Sequence, residues 1–73
     1  MTNEEVISLI EETLELESNT LNLETLLEDI IELDSMGKLS LIVMADDEFS
    51  KKLTGEQMKM FKSVGDIVTF LNT

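Results

Sequence analysis

The chain has no cysteine, no histidine and no basic residue before Lys38. Without cysteine, neither a disulfide framework nor a thiolate metal site can stabilise the fold. Without histidine or cysteine, a serine has no partner that would activate it as a nucleophile, so the chain is predicted not to be an enzyme. The N-terminus also lacks the basic region and the long apolar run of a signal peptide or membrane span. The sequence therefore predicts a cytoplasmic protein.

The acidic charge is concentrated in the first half of the chain. Residues 1–37 hold eleven acidic and no basic side chains, whereas residues 38–73 hold five of each sign, which gives a formal net charge of −11. Such a chain is expected to repel nucleic acid and anionic membranes and to favour basic partner surfaces. Self-repulsion also predicts a monomer. A solvated, solubilising surface is the alternative interpretation of most of these carboxylates.

The length and the apolar periodicity predict one all-α domain that covers residues 1–73 as a small three- to four-helix bundle. A chain of 73 residues buries only about 60% of its unfolded surface, so helix packing must supply the stability. The connection between the first two helices is predicted to contain only a helical turn or two. The predicted helices cover about residues 3–15, from Asp34 or Ser35 to Phe49, a short segment after Thr54, and a final segment after Ser63. Thr2 and Glu5 match a capping box at the start of the first helix.

Ser35 lies at the start of the second predicted helix, in the run Asp34-Ser35-Met36-Gly37. Asp34 and Ser35 are both good N-cap residues, so the sequence leaves open which of them caps the helix. A hydroxyl that is not used as a cap is a place to attach a group. A phosphate ester there would gain about 0.3–1 kcal/mol from the positive end of the helix dipole.

The second predicted helix has two apolar faces. On a helical wheel, Leu39, Ser40, Val43 and Asp47 fall within about 60° of Met36, whereas Leu41, Ile42, Ala45 and Phe49 fall on the opposite side. A bundle needs only one of these faces for its core. The other is predicted to dock a partner, with packing under the long connection as the alternative. The predicted docking residues are Met36, Gly37, Leu39, Ser40, Val43, Asp46 and Asp47.

Three runs of residues follow one another from the second predicted helix onward. They are Asp34-Ser35-Met36, the acidic helix end Asp46-Asp47-Glu48-Phe49, and Val64-Gly65-Asp66 before the last amphipathic helix. Together with the length, the acidity and the helix order, these runs resemble the acyl carrier proteins. The resemblance needs no gap from Ser35 to Asp66, and it covers essentially the whole chain.

The resemblance implies that Ser35, beside the capping Asp34, is esterified by 4'-phosphopantetheine. A phosphopantetheinyl transferase donates this group from coenzyme A, and its thiol then carries an acyl group as a thioester. The other implied partners are acyl-loading ligases or synthases with basic docking surfaces, and no metal is implied. By analogy, a core that loosens around an acyl chain would be lined by Leu41, Ile42, Ala45, Phe49, Met58, Phe61 and Ile67. An ordinary closed core is the alternative.

The chain departs from the pattern of the carriers of fatty acid synthesis at three positions. Those proteins usually have acidic residues two and five positions after the modified serine, where this chain has Gly37 and Ser40, and a glycine where it has Glu32. One interpretation of Gly37 is that it permits close approach of a partner backbone. The resemblance implies a carrier for fatty acid or specialised lipid and secondary-metabolite biosynthesis.

Two alternatives to that function stay open. The run Asp34-Ser35-Met36-Gly37 is also similar to the D-alanyl carrier proteins, which hold an activated amino acid for modification of the cell envelope. An acidic interaction module that is never modified is the second alternative, and the intact Asp34-Ser35 pair argues against it.

Overall fold

The computed structural model describes residues 2–72, which form a bundle of four α-helices with one 3-10 turn. The all-α prediction is confirmed, whereas Met1 and Thr73 of the predicted domain lie outside the described residues. The connection between α1 and α2 contains only the 3-10 turn Leu27–Asp29, as predicted. The helices are α1 (Asn3–Thr13), α2 (Ser35–Phe49), α3 (Gly55–Met60) and α4 (Val64–Leu71).

Local side-chain hydrogen bonds determine where α1 begins. The hydroxyl of Thr2 accepts from the Glu5 N–H at 3.1 Å, and the Glu5 carboxylate accepts from the Thr2 N–H at 2.9 Å, which is the predicted capping box. The hydrogen bond that the Glu5 carboxylate accepts from the Thr2 N–H lowers the pKa of Glu5 most, and the Thr2 side chain lowers it further. The contribution of the carboxylate to stability is therefore present at neutral pH and is lost as the pH falls through this lowered pKa.

The first helix ends earlier than the sequence predicts. Its last residue is Thr13 rather than residue 15, because Glu15 adopts a left-handed conformation with φ of 60°. The Leu16 N–H then reaches back to the Glu11 carbonyl at 2.7 Å and closes the end of the helix. Apolar periodicity did not predict this backbone reversal.

The connection from residue 14 to residue 34 is fixed to the bundle by buried and backbone hydrogen bonds. Glu11 of α1 is 4% exposed, and its carboxylate accepts from the Leu21 N–H at 2.8 Å. Further along, the Leu27 N–H donates to the Lys62 carbonyl and the Val64 N–H donates to the Thr25 carbonyl, each at 2.9 Å. The connection is thus hydrogen-bonded to α1 and to the junction of α3 and α4 before it reaches α2. These bonds define the position of Ser35 at the start of α2.

One core joins all four helices and the connection. Apolar side chains from α1, α2, α3 and α4 meet in its centre, and the long connection closes its side. The buried residues of this core are Val6, Ile10, Leu14, Leu21, Leu27, Ile30, Leu41, Met44, Ala45, Leu53, Met58, Val64, Ile67, Val68 and Leu71. None of the helices within residues 2–72 combines the length and the apolar character needed to cross a membrane.

The end of α2 offers a test of backbone strain. Ser50 follows the helix in a left-handed conformation, with φ of 53°, and the Lys51 N–H donates to the Ala45 carbonyl at 3.1 Å. Glycine adopts this conformation without the cost of a side chain. Ser50→Gly is therefore expected to raise the free energy of unfolding by about 0.5–1 kcal/mol in urea titrations.

Ser40 provides the matched control for that substitution, since it is also exposed but lies inside α2 with helical geometry. Ser40→Gly is expected to lower the free energy of unfolding by about 0.5 kcal/mol, because glycine is the poorer helix former. Equal losses in both variants would show that the left-handed backbone at Ser50 carries no cost.

Candidate functional site

Asp34, and not Ser35, is the N-cap of α2. The Asp34 side chain accepts from the Gly37 N–H at 2.8 Å, and its carbonyl accepts from the Lys38 N–H at 2.9 Å. Ser35 is the first residue of the helix and is exposed. This answers which of Asp34 and Ser35 caps the helix, a question that the sequence left open. Because the Asp34 carboxylate is the cap, capping does not explain the serine.

The position of Ser35 suits an anionic ester. It opens a helix of 15 residues, whose N-terminal amides and dipole favour negative charge by about 0.3–1 kcal/mol. Within residues 2–72, no group of three or more histidine, cysteine, aspartate or glutamate side chains could hold a metal ion. The arrangement can therefore present a hydroxyl and stabilise a phosphodiester beside it.

The apolar stripe next to Ser35 is open to solvent. Its three members, Met36, Leu39 and Val43, are 78%, 60% and 52% exposed, so the stripe does not pack under the long connection. The other predicted docking residues on this helix, Ser40, Asp46 and Asp47, are exposed as well. The predicted division of α2 into two apolar faces is therefore correct, although it missed Met44, which lies between the faces on the wheel and is buried.

The backbone of Gly37 lies close to other residues of this same chain. A Cβ built at this position would lie 2.4 Å from the Glu32 carbonyl oxygen and 3.1 Å from Cδ2 of Leu14. The glycine is therefore explained by the last turn of the connection, which passes against the first turn of α2. Approach of a partner backbone is not needed to explain it.

The predicted acyl-pocket residues do meet in one place, but the core that they form is closed. Leu41, Ala45, Met58 and Ile67 are buried in it, whereas Ile42, Phe49 and Phe61 are half-buried and pack against it. The ring centroids of Phe61 and Phe70 are 5.7 Å apart. An acyl chain would therefore have to separate the packed side chains of this core before it could enter the core.

Two of the open pockets that border α2 lie toward its two ends. One of about 300 Å³ lies beside the loop that follows the helix and includes Ile42 and Val43. The other, which we call the connection pocket, has a volume of about 260 Å³ and lies between the connection, the first turns of α2 and α3. It is lined by Leu27, Glu28, Ile30, Leu33, Lys38, Met58, Lys59 and Phe61.

Sequence reasoning missed most of the connection pocket. Only Met58 and Phe61 of its lining were predicted as pocket residues, because the helical wheel describes a helix and not the loop packed against it. The irregular spacing of the leucines and isoleucines between residues 21 and 33 was the available signal, since it indicates a connection bound to the core. A larger groove of about 720 Å³ lies between α1 and residues 19–24, and no residue of α2 lines it.

The chain was compared with known families, proteins and structures. Residues 4–71 match the model of the family described as phosphopantetheine attachment site. The chain is 31% identical to an acyl carrier protein of Aster yellows witches'-broom phytoplasma, over 93% of this chain and 90% of that protein. It is 28% identical to the meromycolate extension acyl carrier protein of Mycobacterium leprae, over 97% of this chain but only 65% of the relative's length.

The fold is also similar to that of a solved structure. The solution structure of a holo acyl carrier protein from Geobacter metallireducens superposes with a TM-score of 0.78 at 24% sequence identity, over 97% of this chain and 82% of that one. At this level of identity the likeness establishes the fold, and it agrees with the order of helices described above.

Proposed function

Since this chain belongs to the acyl carrier proteins with a phosphopantetheine attachment site, we propose that Ser35 is the residue to which the 4'-phosphopantetheine arm is joined. The observation that carries the proposal is the division of roles at the start of α2. Asp34 caps the helix through the Gly37 N–H, so the exposed hydroxyl of Ser35 is left for another use. The arm, once attached, supplies a thiol that holds an acyl group as a thioester.

Attachment requires chemistry that a partner must provide. The Ser35 oxygen forms the new bond to the phosphorus next to pantetheine in coenzyme A, the bond to the second phosphate breaks, and adenosine 3',5'-bisphosphate leaves. The hydroxyl proton passes to a base of the transferase, because the Asp34 carboxylate next to Ser35 already accepts from the Gly37 N–H. The role of this chain is to present the hydroxyl on a rigid helix start, and it supplies no catalytic group.

The exposed face of α2 supports a docking role for the residues around the attachment point. Met36, Leu39 and Val43 form an apolar stripe that a partner would desolvate, and Asp46 and Asp47 are exposed near the far end of the helix. A transferase, loading ligase or synthase with an apolar contact patch and basic groups opposite Asp46 and Asp47 would be complementary to this face. Gly37 and Ser40 add no charge at the serine end of the stripe, where Asp34 and Lys38 are the exposed charged side chains.

The proposed pathway is fatty acid or specialised lipid and secondary-metabolite biosynthesis, in line with the acyl carrier proteins to which the chain is similar. The run Asp34-Ser35-Met36-Gly37 supports an aminoacyl carrier as the second candidate. The two candidates differ in the charge of the cargo, because an aminoacyl group brings an ammonium group to the end of the arm.

Intact-protein mass spectrometry tests the carrier proposal. The wild-type chain is incubated with coenzyme A and a broad-specificity phosphopantetheinyl transferase, and the product is digested so that the modified peptide can be sequenced. We expect one phosphopantetheine per chain, located on Ser35. An addition located on another serine, or none to a folded sample from several transferases, would contradict the proposal.

A further inference from the structure

Ile31 is the most exposed large apolar side chain in the part of the chain that the structure describes. It lies in the turn of the connection that leads into α2, and it is 90% exposed. The Leu33 N–H donates to the Ile30 carbonyl at 3.1 Å and closes this turn. Ile30 is buried and Leu33 packs against the core, so Ile31 is the apolar side chain of the turn that the fold leaves outside.

The same turn packs against the start of α2. A Cβ built at Gly37 would lie 2.4 Å from the Glu32 carbonyl oxygen, so the backbone of residue 32 lies directly beside the first turn of the helix. Ile31 precedes Glu32 and therefore borders this first turn, which also carries Ser35. The absence of a side chain at Gly37 is what permits the turn to come so near the serine.

A second exposed apolar side chain borders Ser35 from the helix. Met36 follows the serine directly and is 78% exposed. Neither Ile31 nor Met36 belongs to the core of the described residues or packs against it. Their exposed surface therefore does not serve the fold, and apolar surface of this kind is typical of a contact site for another molecule.

The reaction at Ser35 requires an enzyme surface at this place. A transferase that joins the Ser35 oxygen to phosphorus must bring its cleft into contact with the serine, and the rim of that cleft then covers the neighbouring residues. A specific interface takes about 20–30 residues from each partner. A rim centred on Ser35 therefore extends to Ile31 on the connection as well as to Met36.

A second copy of this chain is a less suitable occupant. A symmetric contact through Ile31 would place the two connections face to face, and the exposed carboxylates on both sides of Ile31 would repel each other. An enzyme with basic groups around an apolar site would instead be complementary to them. These exposed carboxylates are Glu28, Asp29, Glu32 and Asp34.

We propose that Ile31 is a docking residue for the phosphopantetheinyl transferase and that it enters an apolar site at the rim of the enzyme's cleft. The contact between residue 32 and Gly37 holds it beside Ser35. The inference rests on the carrier function proposed above and adds a contact outside α2 to the docking face. Ile31 does not touch the reacting atoms, so it contributes to binding of the carrier and not to the bond-forming step.

Steady-state kinetics of attachment test the proposal. The transferase is the one that loads the wild-type chain in the mass-spectrometric experiment, coenzyme A is kept saturating, and the carrier concentration is varied. Ile31→Ser should raise KM for the carrier by about five- to twentyfold and leave kcat within about twofold, because the complex loses buried apolar area at every stage of the reaction. Ile31→Leu keeps an apolar side chain and should restore KM to within about twofold of wild type.

Leu23→Ser is the matched control for the loss of an exposed apolar side chain from the connection. Leu23 is 40% exposed and lines the groove beside the start of α1, whereas Gly37 lies against Leu14, which follows the end of α1. The KM of this control should equal that of wild type. The melting temperature of Ile31→Ser should change by no more than about 4 °C, because its side chain is outside the core.

The outcomes separate this inference from the carrier proposal. Absence of attachment to the folded wild-type chain would overturn the carrier function and, with it, the docking role. Attachment to Ser35 with the same KM in Ile31→Ser and wild type, or with an equal rise in Leu23→Ser, would overturn the role of Ile31 alone. Analytical ultracentrifugation tests the other occupant. A wild-type dimer that Ile31→Ser converts to a monomer, with KM unchanged, would assign the residue to self-association and overturn the proposal.

Discussion

Ser35→Ala is expected to lose phosphopantetheine attachment completely. Alanine removes the only oxygen that the proposed reaction joins to phosphorus, so the mass of the variant should not change after incubation with coenzyme A and a transferase. The loss should exceed a factor of 100 in initial rate, because no neighbouring hydroxyl lies at the start of α2. The measurement is intact mass spectrometry of wild type and variant over the same time course.

The fold of that variant should be unaffected, and this makes the loss interpretable. Asp34 supplies the cap through the Gly37 N–H, so removal of the Ser35 hydroxyl should alter the free energy of unfolding by no more than about 0.5 kcal/mol. Ser8→Ala is the matched control, since Ser8 is exposed inside α1, away from the proposed docking face, and should be compatible with full attachment. Attachment to Ser35→Ala at the wild-type rate would show that another residue carries the arm.

The sequence predicted well those features that depend on neighbouring residues. The capping box of Thr2 with Glu5, the start of α2 at Asp34 or Ser35 and the two apolar faces of α2 all follow from spacings within a few residues of the chain. Such spacings are set by helix geometry and survive into the structure. The candidate attachment point at Ser35 depended on more than these spacings, since it was implied by the resemblance to the acyl carrier proteins.

The features that the sequence could not predict depend on how the connection returns to the bundle. Its backbone pairs with the junction of α3 and α4, where Leu27 and Lys62 are joined by a hydrogen bond although they are far apart in sequence. That contact places the connection beside α3 and creates the charged pocket with Lys38 and Lys59. Periodicity describes each helix separately, so it cannot show which loop will cover which helix end.

The contact of Gly37 with the connection could not be predicted from periodicity either. It gives the second prediction with a large expected effect, a loss of stability. Gly37→Ala is expected to lower the free energy of unfolding by about 1–3 kcal/mol, because its Cβ would lie 2.4 Å from the Glu32 carbonyl oxygen. Alanine is the better helix former by up to about 1 kcal/mol, so the overlap must outweigh this gain. For a domain of this size the melting temperature should fall by about 4–8 °C per kcal/mol lost. Thermal melts followed by circular dichroism measure the change.

Gly55→Ala is the control for this substitution. Gly55 opens α3, and a Cβ built there has no atom within 4 Å. The control should leave the stability unchanged or raise it by up to about 1 kcal/mol, since only helix propensity acts. If the two alanine variants proved equally stable, the contact between Gly37 and Glu32 would be too soft to constrain the sequence.

The contact at Gly37 also explains the departure from the usual carrier pattern. An acidic residue two positions after the serine would bring a Cβ as well as a charge, and the Cβ would displace the Glu32 carbonyl oxygen in the segment that leads into Asp34 and Ser35. Gly37→Asp should therefore be destabilised at least as much as Gly37→Ala, and equally at high salt, because the cause is steric overlap rather than repulsion. A loss of stability in Gly37→Asp alone, removed by salt, would instead identify repulsion among the surrounding carboxylates as the reason for the glycine.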